Sequence, residues 1–282
     1  MIFMKPVPFE EALASRQVQT LLPTTASSRE MMQVSASIRE RAVFSARVNN
    51  LKMLEVIDAS VNRVLSPETV IDPETGERRP ARPGESMDNA TFRLQFTEVL
   101  NSLGMRPDPK HRGTLRDIFS TIRQDLILDT NVKMAQGFGH WQQGQKQPIL
   151  DLWPAHELFR AELRDDERDW PTRWRGAGGR LFAGGRMIAP KNSPIWTEIS
   201  AFGLPYAPFD FNSGMDVRDV ARREAVALGV IKEAQRIVPE SRDFNADLAV
   251  SAPERQTALF QTLLRDLGDK AQIVDGSLRF KK

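Results

Sequence analysis

Apolar positions recur with a helical period over the first half of the chain. Residues 9–20 make a short amphipathic stretch, interrupted by Leu21-Leu22-Pro23 and the polar run behind it. Ser27-x-x-Glu30 then has capping-box form, with a hydroxyl to cover one free backbone N–H and a carboxylate to reach back to another. Beyond it Met31, Val34, Ile38, Phe44, Val48, Leu51, Leu54, Ile57, Val61 and Val64 fall mostly three or four positions apart. Charged residues occupy the opposite face, which predicts amphipathic helix. Neither Gly nor Pro stands between Pro23 and Pro67. One continuous rod over this stretch is on the order of 60 Å long. It has more apolar stripe than a small domain covers, so part of it is expected to pack against another chain. The pattern also admits a helical hairpin bent at Asn49-Asn50.

Pro67 ends the periodicity. Residues 67–86 (PETVIDPETGERRPARPGES) are rich in Pro, Gly and charge and read as a linker. Residues 87–103 predict a helix closed by Gly104. Thr114 is placed to cap another, with Leu115, Ile118, Ile122, Leu126, Leu128 and Val132 on its apolar side and Gly137 as its end. The texture then changes. Of the 17 glycines only Gly76, Gly84, Gly104 and Gly113 precede residue 137, and all 5 Trp follow it. Residues 157–162 predict a strand, and residues 169–175 a short tryptophan-bearing helix. Residues 176–190 predict two strands about Gly184-Gly185, and Ser193-Pro194 a helix start. Residues 204–215 read as a stiff Pro- and aromatic-rich loop, residues 220–228 and 253–267 as helices, and the last residues as a hairpin about Asp275-Gly276. Trp153, Trp170, Trp174 and Trp196 are the expected core.

These elements predict an α+β protein. It has a helical N-terminal region with a long helix (1–66), a linker (67–86), a helical pair (87–136), a Trp-rich α+β module (137–232) and a C-terminal helix and hairpin extension (233–282). The 282 residues, 40% hydrophobic and 27% charged, suffice for a real core. With 39 Lys+Arg against 37 Asp+Glu, no global field drives nucleic-acid binding, so any such contact is local. The absence of Cys excludes disulfides, thiolate metal sites and a cysteine nucleophile. No apolar run approaches the roughly 20 residues of a membrane span, and the first residues lack the apolar core of a secretory signal. A cytoplasmic product is expected.

Three constellations bear on chemistry. His156-Glu157 opens like a zinc-protease motif, but Arg160 stands where its second His belongs. With Asp165, Asp166, Glu167 and Asp169 behind it, His156 is the candidate centre for metal-dependent nucleic-acid processing, or simply part of a charged turn. Arg78, Arg79 and Arg82 in the linker are candidate phosphate contacts or simply a solvated loop, and Arg175, Arg180 and Arg186 around the glycine-rich hairpin are candidate phosphate contacts or simply its border. Ser213 lacks the flanking pattern of a nucleophile elbow. No nucleophile–base–orienter set assembles, no cofactor is implied, and the reading is non-enzymatic.

Residues 126–231 carry, in order, LILDTNVKMAQGFGHW, PAHELFR, RDWPTRW, GGRMIAPKNSPIW, FGLPYAPFDFNSGMDVRDV and REAVALGVI. This series resembles a divergent branch of the tailed-phage minor head (head morphogenesis) proteins. In that family a helix with a polar triplet leads into a strand and a small β-rich module closed by a Pro-rich loop. Residues 126–137, 157–162 and 205–214 correspond here. The family's usual Cys-Arg-Cys and its following His are missing, so no thiol or metal role carries over. The resemblance implies a virion component bound at the portal or inner shell during head assembly. Its partners would be the portal, the major capsid protein or further copies of itself, with packaged DNA as a further contact. Its place would be the host cytoplasm and then the virion head. A major shell or connector protein is the alternative within the same class. Phe44, Val48, Leu51 and Leu54 on the long helix, and Pro208, Phe209 and Phe211 in the closing loop, are the candidate partner-binding residues. That loop must pack on its own core or on a neighbour.

Overall fold

In a computed structural model the protein is α+β. The structure describes residues 10–17, 19–31, 42–43, 45–66, 69–71, 75, 78–80, 87–164, 167–240, 250–251, 265, 271–274 and 277–280. It divides into two compact units, residues 1–132 with 244–282, and residues 133–243.

The first unit begins with α1 (Glu10–Gln17), β1 (Thr20–Leu21) and α2 (Ser28–Met31). The capping box forms as expected: Ser27 N donates to Glu30 Oε2 at 2.7 Å and Glu30 N to Ser27 Oγ at 3.4 Å. The single long helix does not form. The chain is extended at β2 (Ala42–Val43), which pairs parallel with β1, and turns at Arg47, whose φ is +60°. It becomes helical again only in α3 (Leu51–Leu65). Asn50 starts that helix by accepting from Lys52 N at 2.9 Å, the role in which Asn outcompetes helix continuation. The break therefore falls at the Asn pair, but a strand and a turn precede it. Of the described residues of the apolar stripe, Val48, Leu54, Ile57 and Val61 have no exposed area, whereas Leu51 is exposed. Arg16 of α1, itself buried, pairs with Asp58 of α3. β3 (Thr69–Ile71) and β4 (Arg78–Pro80) form a small antiparallel ladder in the region read as linker.

Next comes α4 (Asn89–Ser102), capped by Asp88, which accepts from Thr91 N at 2.7 Å. Phe92 and Phe96 stack inside it, and Gly104 ends it with φ +73°. The following helix, α5, is Thr121–Gly144 rather than the expected span from Thr114 to Gly137. Its start is delayed because Asp117 and Ser120 bond the local backbone: Asp117 Oδ1 accepts from Phe119 N at 3.0 Å, and Ser120 Oγ donates to Thr114 O at 2.6 Å. Leu115 and Ile122 are consequently exposed. Gly137 does not stop the helix. Its missing side chain lets the backbone of Ala207 approach, since a Cβ there would lie 1.7 Å from the Ala207 carbonyl oxygen. The boundary between the units falls inside α5.

The second unit is built on a four-stranded antiparallel sheet in the order β6-β7-β5-β8. β5 is Ala155–Arg160, β6 Leu181–Phe182, β7 Arg186–Pro190 and β8 Met215–Val220. The hairpin about Gly184-Gly185 forms as read, whereas β8 fills the stretch between the expected loop (204–215) and helix (220–228) and takes Val220 from that helix. Both faces are covered. One carries Leu158, Met187, Ala189 and Met215 against Trp170, Trp174, Trp196 and Phe209. The other carries Ala155, Ile188 and Val220 against Leu150, Ala225, Ile231 and Ile237. The covering elements are α6 (Gln147–Leu152), α7 (Trp170–Gly176), α8 (Ile195–Glu198) and α9 (Arg222–Ala227). Trp174 and Trp196 meet edge to face at 5.3 Å and Trp196 lies 5.9 Å from Phe209. Trp153 is not part of this core: it is 38% exposed, whereas Trp141 is buried against Tyr206. Near the C-terminus β9 (Val250–Ser251), β10 (Ala271–Val274) and β11 (Ser277–Phe280) make a small sheet, with β10 and β11 paired across Asp275-Gly276 as expected. The helix expected over 253–267 lies outside the described residues apart from Arg265.

Candidate functional site

Antiparallel pairing of β5 with β8 sets His156 opposite Asp219, and pairing with β7 sets it opposite Ala189, two residues before Lys191. His156 Nε2 lies 3.0 Å from Asp219 Oδ1, and Lys191 Nζ lies 2.7 Å from the same oxygen. A carboxylate can only accept, so the imidazole donates from Nε2. The Lys191 side chain is 1% exposed and that of Asp219 46%, so the carboxylate joins an interior cation to solvent. The His156 ring also meets Trp196 edge to face at 5.9 Å. This trio borders a cleft of about 380 Å³, walled by His140, Trp141 and Gln143 of α5, by Tyr206 and Ala207, and by Asp216.

Burial pushes the His156 imidazole below its ordinary pKa. The bond to Asp219 opposes this, and the charge of Lys191 adds to it. Burial would raise Asp219, but the bonds from His156 and Lys191 and their charges bring it down to about 2. The group therefore holds a neutral imidazole and an ionised carboxylate near neutral pH. It can orient a polar ligand through the half-exposed carboxylate of Asp219.

On the opposite face of β5, Glu157 is buried between two arginines. Arg186 donates from Nε to Oε1 at 3.0 Å and from a terminal nitrogen to Oε2 at 2.6 Å, and Arg218 donates from Nε to Oε2 at 3.1 Å. Arg186 also reaches Glu224 at 2.7 Å. Burial opposes ionisation of Glu157, but the two guanidinium groups outweigh it and hold the carboxyl low.

The residues singled out in the sequence are thus dispersed. Arg186 is withdrawn from phosphate contact because two carboxylates engage it, whereas Arg175 and Arg180 are exposed, with Arg180 5.0 Å from the Phe182 ring centroid. Arg78 and Arg79 are described only as backbone of β4, and Arg82 lies outside the described residues. Val48 and Leu54 are buried within the first unit and Phe209 within the second, leaving no side-chain area for a partner. Pro208 is buried and Phe211 half-buried against Phe202, with ring centroids 4.8 Å apart, so the closing loop packs on its own core. Among the described residues of the helix set only Leu51 is exposed, at 38%. Phe44 lies outside the described residues, as do Asp165 and Asp166. Among the described residues no three His, Asp or Glu side chains are grouped to hold a metal ion. His156 instead belongs with Asp219 and Lys191, which the sequence offered no spacing to find.

Comparison with protein-family models, with curated proteins and with solved structures finds no match to this chain.

Proposed function

We propose that this chain is a structural virion protein of a tailed phage or prophage, a minor capsid or head-morphogenesis component acting at the portal or inner shell. One observation carries the reading. From residue 133 to residue 231 the segments whose order resembles the minor head proteins are consecutive pieces of one packed unit, while residues 126–132 fall in the other. The second half of α5 opens that unit, and β5, α7, the β6–β7 hairpin, α8 and the closing loop before β8 then share its two cores. Pro208 and Phe209 of that loop lie in the same core as Trp170, Trp174 and Trp196, or beside it. The partners are then the portal, the major capsid protein or further copies of the chain. Arg175 and Arg180 are available to packaged DNA.

The test is removal of the gene from the phage that encodes it, with particle counts and quantitative protein analysis of purified heads. A few copies per head in the parent, and heads that fail to assemble or fill in the deletion, are expected. Hundreds of copies would assign the chain to the shell instead. Heads of unchanged number and DNA content, in which the protein was never present, overturn the proposal.

A further inference from the structure

Between α4 and α5 the chain carries four exposed cations, Arg106, Lys110, Arg112 and Arg116. None has a carboxylate partner among the described residues. Two acids lie in the same loop and both are engaged in building it. Asp117, 3% exposed, accepts from Phe119 N at 3.0 Å and Gly113 N at 3.4 Å. Asp108 accepts from Lys110 N at 2.9 Å and pairs with His111 Nδ1 at 2.6 Å. His111 then receives Arg116 at Nε2, 3.4 Å away, so even the imidazole is used to steady a cation. Thr114 and Ser120 close the remaining turns through bonds to His111 O at 2.7 Å and Thr114 O at 2.6 Å. The loop is a hydrogen-bonded scaffold in which Asp117 is buried, Asp108 is half-exposed and bonded within the loop, and the four cations face solvent.

We infer that the loop from Arg106 to Arg116 is a contact for the phosphate backbone of double-stranded nucleic acid. The chain as a whole is near neutral, so attraction of a polyanion requires such a local excess. No Phe, Tyr or Trp lies between Arg106 and Arg116, and the His111 ring is engaged by Asp108 and Arg116, so the loop lacks the stacking platform that single strands use. The one large apolar side chain there, Leu115, is too little for membrane anchoring, which takes a substantial apolar area besides charge. Binding by cations alone is independent of base sequence. The inference does not rest on the head-assembly reading and concerns arginines that the resemblance does not touch.

The test measures binding of the full chain to a fluorescent duplex of mixed sequence over a range of salt. Four phosphate contacts give a slope of log K against log salt of about −3.6, so raising salt from about 50 to about 200 mM weakens binding about 150-fold. The variant with Arg106→Gln, Lys110→Gln, Arg112→Gln and Arg116→Gln is expected to lose that slope while keeping its circular dichroism. Each single replacement should reduce the slope by about one, which tests the idea even if the quadruple variant folds poorly. Wild-type binding that ignores salt, or variants that keep the parental slope, overturn the inference. So does tighter binding to polyglutamate or to vesicles of anionic lipid than to the duplex, which would mark an acidic protein or a membrane as the partner.

Discussion

Burial holds the His156 imidazole below its ordinary pKa and the charge of Lys191 adds to this, although Asp219 accepts a hydrogen bond from the ring and Asp216 lies close by. In the unfolded chain the same ring titrates near 6.5. Below that pH the unfolded state takes up a proton that the folded state resists. The stabilisation is therefore complete above about 6.5 and declines as pH falls, by up to about 1.4 kcal/mol per pH unit for this one group. Asp219, lowered to about 2, loses its own contribution only between about 3.9 and 2, outside that window. Urea unfolding monitored by tryptophan emission should thus show a lower midpoint at pH 5 than at pH 7, and His156→Gln should flatten the difference. An unchanged pH dependence in the variant would place the sensitivity elsewhere. The sequence exposes His156 as a residue of interest, but not its partners. Asp219 and Lys191 reach it through strand register, which no local spacing encodes. The partners of Arg186 are hidden for the same reason: a guanidinium beside glycines looks free until Glu157 is placed opposite it.

At the scale of elements, the capping signals were the most legible. Ser27 with Glu30, and Gly104 after α4, act where the sequence puts them, because each motif is complete within a few residues. The continuous helix failed because an apolar period records only that one face is covered. It does not distinguish one helix from a strand, a turn and a shorter helix covering the same interior, and Val48 and Leu54 are buried in either arrangement. Gly137 failed for a related reason, since its need for backbone approach comes from a loop distant in sequence. β8 was missed because Met215-Asp-Val-Arg-Asp-Val220 has acids on its exposed positions and follows a Pro-rich loop. The cap at Asn50 gives a direct check on the shortened helix. Asn50→Ala is expected to cost about 1 kcal/mol in denaturant unfolding, whereas the exposed Asn49→Ala should fall within about 0.5 kcal/mol of the parent. Equal costs would mean that the helix does not begin there.

For the whole molecule, composition placed the change of character at residue 137, and the two packed units divide within α5 between Val132 and Lys133. What composition could not show is that residues 244–282 group with the first unit, a return of the chain that leaves no periodic trace. The aromatic distribution was legible and has an optical consequence. Trp141, Trp170, Trp174 and Trp196 are at most 5% exposed, Trp153 is 38% exposed, and all five belong with Tyr206 to the second unit. Acrylamide should therefore quench mainly one fluorophore, and Trp153→Phe should remove most of the quenchable light while the spectrum of the rest stays blue-shifted. Quenching that persists in that variant would mean the interior indoles are not shielded. Ultraviolet emission is in this way a private channel for residues 133–243. Events among residues 10–132 pass through it in the dark, and an extrinsic dye or a transplanted indole is the way to make them glow.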